Sequence, residues 1–458
     1  MPPDLLQAVS SASGGKLALI LGAGCSVELP TGLPVSSACA QDVHRRLVLD
    51  GILQSGECAD PTDLSVVADA VFAKTRLQGA VVNLLREYDL KVATPNRGYL
   101  VAAAMLSEGA LSSVVTLNFD LALSHALSEL GVRDVGVIES PADLPNQKLI
   151  NIYYLHRNAN EPNPENWVLR TPTLQYEWRS TWQPIIATRV LTAPVVVFAG
   201  LGTPVAVLVQ STKLLRDSLP STKFYQVDQV ASASSRFFRE LAIASSDYIQ
   251  NGWCGFMEEL SERLVKEQVS RLSETATVMV SADHLHPENL GTLLARIEGL
   301  GLVRFGKLRS HWLLHDRPYC SDEPLARGLM ADLLLGLGLI ARVSRAVAVI
   351  MEDGLVEFHR GQRIVAVYIV VSGCGYRGRA SLEAALEVRR THYRGRAFPP
   401  HGAVVAGTSG TWSVPSTPPR DVVRGESSDD IVAELMEFPL FHVSELRAAP
   451  GGLSHMVP

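Results

Sequence analysis

The sequence predicts an α/β chain: a Rossmann-like parallel sheet with helices on both faces, followed by a smaller α+β carboxyl-terminal domain. Three observations carry this reading. Short apolar runs alternate with segments of helical spacing through the first half of the 458 residues, the pattern of a sheet covered on both sides. The first run, LALIL, ends in GAGCS, placing two glycines where a helix could begin. Beyond about residue 272 the texture changes to long helical stretches and a β-rich block. Two domains are also what the length leads one to expect, here 1–272 and 273–458.

The elements follow in order. After LALILGAG, the stretches SSACAQDVHRRLVLDGIL, LSVVADAVFAKTRL and GAVVNLLREY have helical spacing. Thr94 followed by Pro95 reads as N-cap and first residue of the next helix, which continues through GYLVAAAMLSEG. LSSVVTLNFD is the next strand and LALSHALSEL the helix after it. VGVIES, KLINIYYLHR, PVVVFAGLG and KFYQVDQV supply further strands. The polar, proline-marked EPNPENWVLRTPTLQYEWRSTWQP reads as a surface excursion, and SDYIQNGWCGFMEELSERLVKEQVSRL as a closing amphipathic helix. In the second half, HPENLGTLLARIEGLGLVRFGKLRSHWLL reads as a helix, a turn and a short strand pair. RAVAVIMEDGLVEFHRGQRIVAVYIVVSG is β-rich, with Asp353-Gly354 as a hairpin turn. RAFPPHGAVVAGTSGTWSVPSTPPRD is rich in Pro, Gly and Ser and leads to a final short helix.

Composition narrows the function classes. With 47% hydrophobic and 19% charged residues the chain reads as a soluble globular protein. A net charge of -6 gives no sign of a general nucleic-acid binder, although RVSRAV and YRGRASLEAALEVRRTHYRGR are locally basic. The six cysteines contain no CxxC pair, so neither a zinc ribbon nor a disulfide scaffold fits, and a reducing cytoplasm is the expected compartment. The uncharged stretch Val190–Thr212 is long enough to cross a bilayer, but Pro194, Gly200, Gly202 and Pro204 punctuate it and VVVFAG reads as a buried strand. The pair His311 and His315 has zincin spacing without the glutamate, DHLH is equally thin, and no metal is expected.

The candidate chemistry lies at strand ends. GAGCSV lacks the third glycine of a dehydrogenase fingerprint, since Val27 stands in its place, and alone it is as well read as a plain turn. Thr116-Leu117-Asn118-Phe119-Asp120 puts an amide and a carboxylate two residues apart after a strand, and His156 follows another. Asn118 and Asp120 could equally cap the helix that follows, and His156 could be a core histidine. Gly200-Leu201-Gly202-Thr203 follows a third strand. Ligands of open α/β sheets gather at these carboxyl ends, where one crevice could hold all four pieces.

On these residues the chain resembles the sirtuin-like family, most closely its divergent bacterial branch. GAGCSVELPTGLP is similar to the family's GAGxS…GxP segment, TLNFD to its TxNxD segment, YLHRN to its His-Gly segment and VFAGLGTPVAVLV to its later GxS/T turn, over roughly residues 15 to 270. The resemblance implies NAD as substrate and cleavage of its nicotinamide–ribose bond. It implies that Asn118 positions the attacking water or ribose, that Asp120 holds the nicotinamide carboxamide, and that His156 is the general base. Gly22, Ala23, Gly24 and Ser26 would take the pyrophosphate, with Thr116 beside them. Gly200 and Thr203 would face the adenosine half, and Asp228, just past FYQV, its ribose. One departure is Arg157, where the family has glycine.

The zinc module of the deacylating members has no counterpart here: no cysteine lies between Asn118 and His156. Water is therefore the expected acceptor, making the chain an NAD glycohydrolase and, by the resembled branch, an anti-phage effector that depletes NAD. The alternatives are a deacylase without the zinc module and a non-catalytic NAD or ADP-ribose sensor. The carboxyl-terminal domain is the expected place for homo-oligomerisation or for docking an ATPase or Argonaute-like partner.

Overall fold

A computed structural model describes residues 1–11, 14–282, 286–314, 322–373, 379–407 and 438–448. The chain divides into two compact units, Met1–Leu264 and Val265–Pro458.

The first unit is built on seven strands: β1 Leu17–Leu21, β2 Leu111–Thr116, β3 Val135–Ile138, β4 Ile150–Tyr154, β5 Val195–Ala199, β6 Lys223–Asp228 and β7 Tyr248–Gln250. Their order across the sheet is β3-β4-β2-β1-β5-β6-β7, and every neighbouring pair is parallel. The central strands LALIL and VVVFA are buried at all five positions, as a sheet covered on both faces requires. The fold is the Rossmann-like α/β arrangement the alternation predicts.

The helices of this unit are α1 Pro3–Val9, α2 Ser36–Leu49, α3 Leu64–Thr75, α4 Gly79–Arg86, α5 Arg97–Ser107, α6 Ala122–Glu129, α7 Thr171–Glu177, α8 Gln183–Arg189, α9 Ala206–Ser218 and α10 Arg236–Leu241, with α11 running Trp253–Ala282. Two starts are clear in local chemistry. Asp63 caps α3 by accepting from Ser65 N and Val66 N, and Asn96 caps α5 by accepting from Tyr99 N. The second corrects the expectation that Thr94 is the cap. The carbonyl of Thr94 is held by the Thr31 hydroxyl at 2.7 Å, and the helix opens two residues later.

A second correction concerns the tryptophan-bearing excursion. Trp167, Trp178 and Trp182 are at most 2% exposed, so the segment is anchored in the core at its tryptophans, while Pro162, Asn163 and Tyr176 between and before them stay exposed as expected. Three indole rings, each offering on the order of 200 Å² of apolar surface, outweigh the polar residues between them. A π-turn over Trp178–Trp182 joins α7 to α8 and puts both of its tryptophans inward.

The stretch Val190–Thr212 becomes β5 and the start of α9. One helix among the described residues, Pro324–Ser344 of the second unit, is long and apolar enough to cross a membrane. In this fold 72% of its apolar window is buried inside the protein.

The second unit carries helices α12 Leu290–Leu313, α13 Pro324–Ser344 and α14 Arg379–Tyr393 and strands β8 Val347–Ile350, β9 Val356–Arg360, β10 Arg363–Ser372, β11 Gly402–Ala406 and β12 Leu440–His442. The sheet order is β12-β11-β10-β9-β8, parallel from β10 to β12 and antiparallel from β8 to β10. The Asp353-Gly354 turn joins β8 to β9, with Gly354 at φ 83. The strand pair expected near residue 305 is absent. Leu302, Phe305, Leu308 and Trp312 are buried at helical spacing, and α12 continues through them past a break at Gly301. His284, His315 and residues 408–437 of the Pro/Gly/Ser-rich segment lie outside the described residues.

What positions the functional end of the first sheet is a contact between two turns. Gly22 N donates to Ala199 O and Gly24 N to Gly200 O, both at 2.9 Å. A Cβ on Gly24 would stand 2.7 Å from Gly200 Cα, and one on Gly22 would stand 2.6 Å from Gly200 O. Gly24→Ala is therefore expected to destabilise the first unit by about 1–3 kcal/mol, as overpacking against backbone does. Gly202→Ala, with nothing within 4 Å of its added methyl, serves as the control. Denaturant unfolding followed by tryptophan fluorescence compares them.

Candidate active site

The strand ends form one row. Tyr154 of β4 pairs with Thr116 of β2, Thr116 with Leu21 of β1, Leu21 with Ala199 of β5, and Ala199 with Val227 of β6. His156, Asn118, Gly22 and Gly200 each leave the sheet within two residues of that row, and Asp228 is the last residue of β6. The chain moves from β1 toward β2 on one side and from β5 toward β6 on the other, so the row contains the point where the winding reverses.

At its centre is a buried hydrogen-bonded cluster. Asn118 Nδ2 donates to Gly22 O at 3.1 Å and lies 3.2 Å from Ser26 Oγ and 3.0 Å from the Tyr99 hydroxyl. Ser26 donates to Asp120 Oδ2 at 2.8 Å and shares a 2.7 Å bond with Tyr99. Each hydroxyl has one hydrogen, so with that of Ser26 on Asp120, Tyr99 is the donor to Ser26. Asp120 Oδ1 accepts from Ala122 N, the first amide of α6, at 3.0 Å, although the N-cap of that helix is Leu121 and not the Asn118 or Asp120 that the helix-cap reading of TLNFD offered. Burial pushes the Asp120 carboxyl above its usual range, with the Ser26 and Ala122 donors pulling against it. Burial likewise holds the Tyr99 phenol well above 10.0, fully protonated.

The carbonyl of Gly22 can only accept, which settles the orientation of the Asn118 amide: its NH₂ faces inward and its Oδ1 faces the other way. Among the described residues that Oδ1 makes no hydrogen bond, and it is not sealed from solvent. His156 follows the same logic. Its Nδ1 stands 2.5 Å from Val168 O, an acceptor, so Nδ1 carries the proton and Nε2 the lone pair. Nε2 also lacks a partner among the described residues and is not closed off. Burial lowers the pKa of His156 below 6.5; the Val168 carbonyl opposes the shift and Arg157 adds to it.

Arg157 adopts a left-handed backbone with φ 68, the conformation for which glycine is favoured. Its Nη2 bonds Glu177 Oε1 of α7 at 2.6 Å, and both side chains are largely buried. The guanidinium is thus turned to the tryptophan-bearing segment.

In the GAGCS turn, the amides of Gly22 and Gly24 are taken as described and that of Cys25 by Gly22 O at 3.0 Å. Ala23, first in the turn Ala23–Ser26, has an amide outside these bonds. The two glycines thus serve the close approach to Gly200. Ser26, Asn118, Asp120 and Gly22 O are joined directly, and Thr116 Oγ1 accepts from Asn118 N at 3.1 Å. Asp228 ends β6 and burial raises its pKa; Thr203 lies between the Gly200 turn and α9. No described hydrogen bond joins either residue to the cluster.

Sequence reasoning missed Tyr99, Asn96 and Val168. Tyr99 sits in an apolar helical run where any core aromatic would look the same. Asn96 Nδ2 donates to Cys25 O at 2.8 Å and so ties α5 to the β1 turn; an Asn before a helical run was its only signal. Val168 acts through its backbone and leaves no signal. Tyr99→Phe removes the donor to Ser26 and a partner of Asn118. It is expected to cost about 1–3 kcal/mol of stability, the range for buried groups left short of a bond, measured as a lower denaturation midpoint.

No family model and no curated protein matches this chain. Among solved structures, a mutant Sir2 homologue in complex with 2′-O-acetyl ADP-ribose is similar at 18% identity and TM-score 0.36, covering 58% of this chain and 97% of that one. A Sir2 homologue–NAD complex is similar at 17% identity and TM-score 0.35, covering 58% and 94%. At these values the likeness decides nothing about function, which rests on the residues above.

Proposed function

We propose that this chain is an NAD glycohydrolase, cleaving NAD to nicotinamide and ADP-ribose. The observation that carries the reading is a pair of oriented acceptors, His156 Nε2 and Asn118 Oδ1. Each is aimed by a partner that can only accept on its other side, and they follow adjacent strands, each two residues past the Thr116–Tyr154 pair. Such a pair suits holding and deprotonating a water. The water oxygen forms a bond to C1′ of the ribose as the C1′–nitrogen bond breaks with its electron pair going to nicotinamide. The proton lost by the water is received at Nε2. A histidine whose pKa is held below 6.5 is in the base form at neutral pH.

The role as an anti-phage effector that depletes NAD rests on the motif resemblance, as does a homo-oligomer or a partner ATPase or Argonaute-like protein, while a cytoplasmic location rests on the cysteine pattern. The free thiols of Cys25, Cys39, Cys58 and Cys254 suit a reducing compartment.

Incubating the full chain with NAD tests the reaction. Nicotinamide and ADP-ribose released without any peptide is the expected result. Release that requires an acylated peptide, or binding without turnover, would reject it. His156→Ala is expected to lower the rate about 10²- to 10⁴-fold, the range for removing a general base, with Asn118→Ala also strongly impaired. The rate should rise with pH as His156 loses its proton, reach its plateau from a midpoint below 6.5, and lose that acid limb in His156→Ala.

A further inference from the structure

Resting on the reading of His156 as the base, we propose that Gln78 is a positioning residue: through the backbone of Trp167 and Val168 it sets which nitrogen of His156 carries the proton. The connection is short and fully polar. Gln78, N-terminal to α4 and 1% exposed, donates from Nε2 to Trp167 O and to Pro164 O, both at 2.8 Å. Both partners are carbonyls, so the amide orientation is settled. The next residue, Val168, is joined to His156 twice, N–H to His156 O at 3.2 Å and C=O to Nδ1 at 2.5 Å.

Two further contacts hold this strap. The backbone amides of Gln78 and Gly79, at the start of α4, both donate to Glu165 Oε1 at 3.0 Å, where the helix end favours a negative charge. Trp167 stacks on Phe119 with centroids 4.9 Å apart, and Phe119 meets the His156 ring edge-on at 5.7 Å. The ring is therefore placed by the strap on one side and by the TLNFD loop on another. The charged group acting on the ring is Arg157 on its own loop, itself paired with Glu177 of α7; the contacts from Val168 and Phe119 are uncharged.

The buried Oε1 of Gln78 has no partner among the described residues. Leaving a buried amide oxygen unsatisfied is costly, and an apolar side chain would avoid that cost, so the two donors are what this position uses.

The test is the full chain labelled with ¹⁵N-histidine, compared with Gln78→Met, which keeps length and loses both donors. Wild type is expected to show His156 protonated at Nδ1 and bare at Nε2 at neutral pH. Gln78→Met is expected to show mixed tautomers, an acid limb moved further below 6.5 because the Val168 carbonyl that supports the imidazolium is no longer held in place, and a kcat lower by about 10- to 100-fold with KM for NAD little changed. An unchanged tautomer and acid limb in Gln78→Met, whatever its stability, would overturn the proposal. Should that variant fail to fold, the exposed Glu165→Gln is expected to move both readouts the same way by less, and no movement there would equally overturn it. The tautomer is read without turnover, so an inert wild type would reject the glycohydrolase reading while Gln78→Met still decides the positioning role.

Discussion

Asp120 is a carboxyl group almost out of reach of water, and the hydrogen bonds that make its burial tolerable also aim the amide of Asn118. Ser26 neutralises one oxygen and the α6 amide of Ala122 the other. Tyr99 closes the loop by bonding both Ser26 and Asn118. Low local polarity strengthens each of these bonds and makes each one costly to lose. The cluster thus couples stability to geometry: loss of the Ser26 hydroxyl would take a donor from buried Asp120 and an acceptor from the Asn118 amide at once.

The parallel sheet is what makes such a cluster possible from residues so far apart in sequence. Aligned strand ends bring residues 22, 118, 156, 200 and 228 to one edge without any loop having to reach far. That much was legible from apolar runs followed by turn or polar residues, because strand direction and strand ends are local properties of the chain. The order of the strands was not written in any one run, yet alternation with helices limited it to a parallel sheet.

What stayed illegible has physical causes of three kinds. Tyr99 and the buried tryptophans are aromatic residues whose packing and polar roles share one signature; Trp167 in a proline-marked polar stretch looked like surface until the fold supplied Phe119 beneath it. The tautomer of His156 depends on a backbone carbonyl, a group every residue carries. In the second unit, Leu302, Phe305, Leu308 and Trp312 satisfied a helical period through a glycine pair that locally argued for a turn, and the longer period won. The hairpin at Asp353-Gly354, where conformation is dictated by the turn residues themselves, was read correctly.

Arg157 and Glu177 bind the loop behind His156 to α7 through a buried contact, leaving Arg157 Nη1 and Glu177 Oε2 without partners among the described residues. Loss of either side chain alone would strand the opposite charge in a poorly polarisable interior, even though glycine would suit the left-handed backbone at 157 better than arginine does. The two positions are therefore expected to drift only together. A single change at either position leaves a buried charge without its partner, and only a paired change avoids that cost.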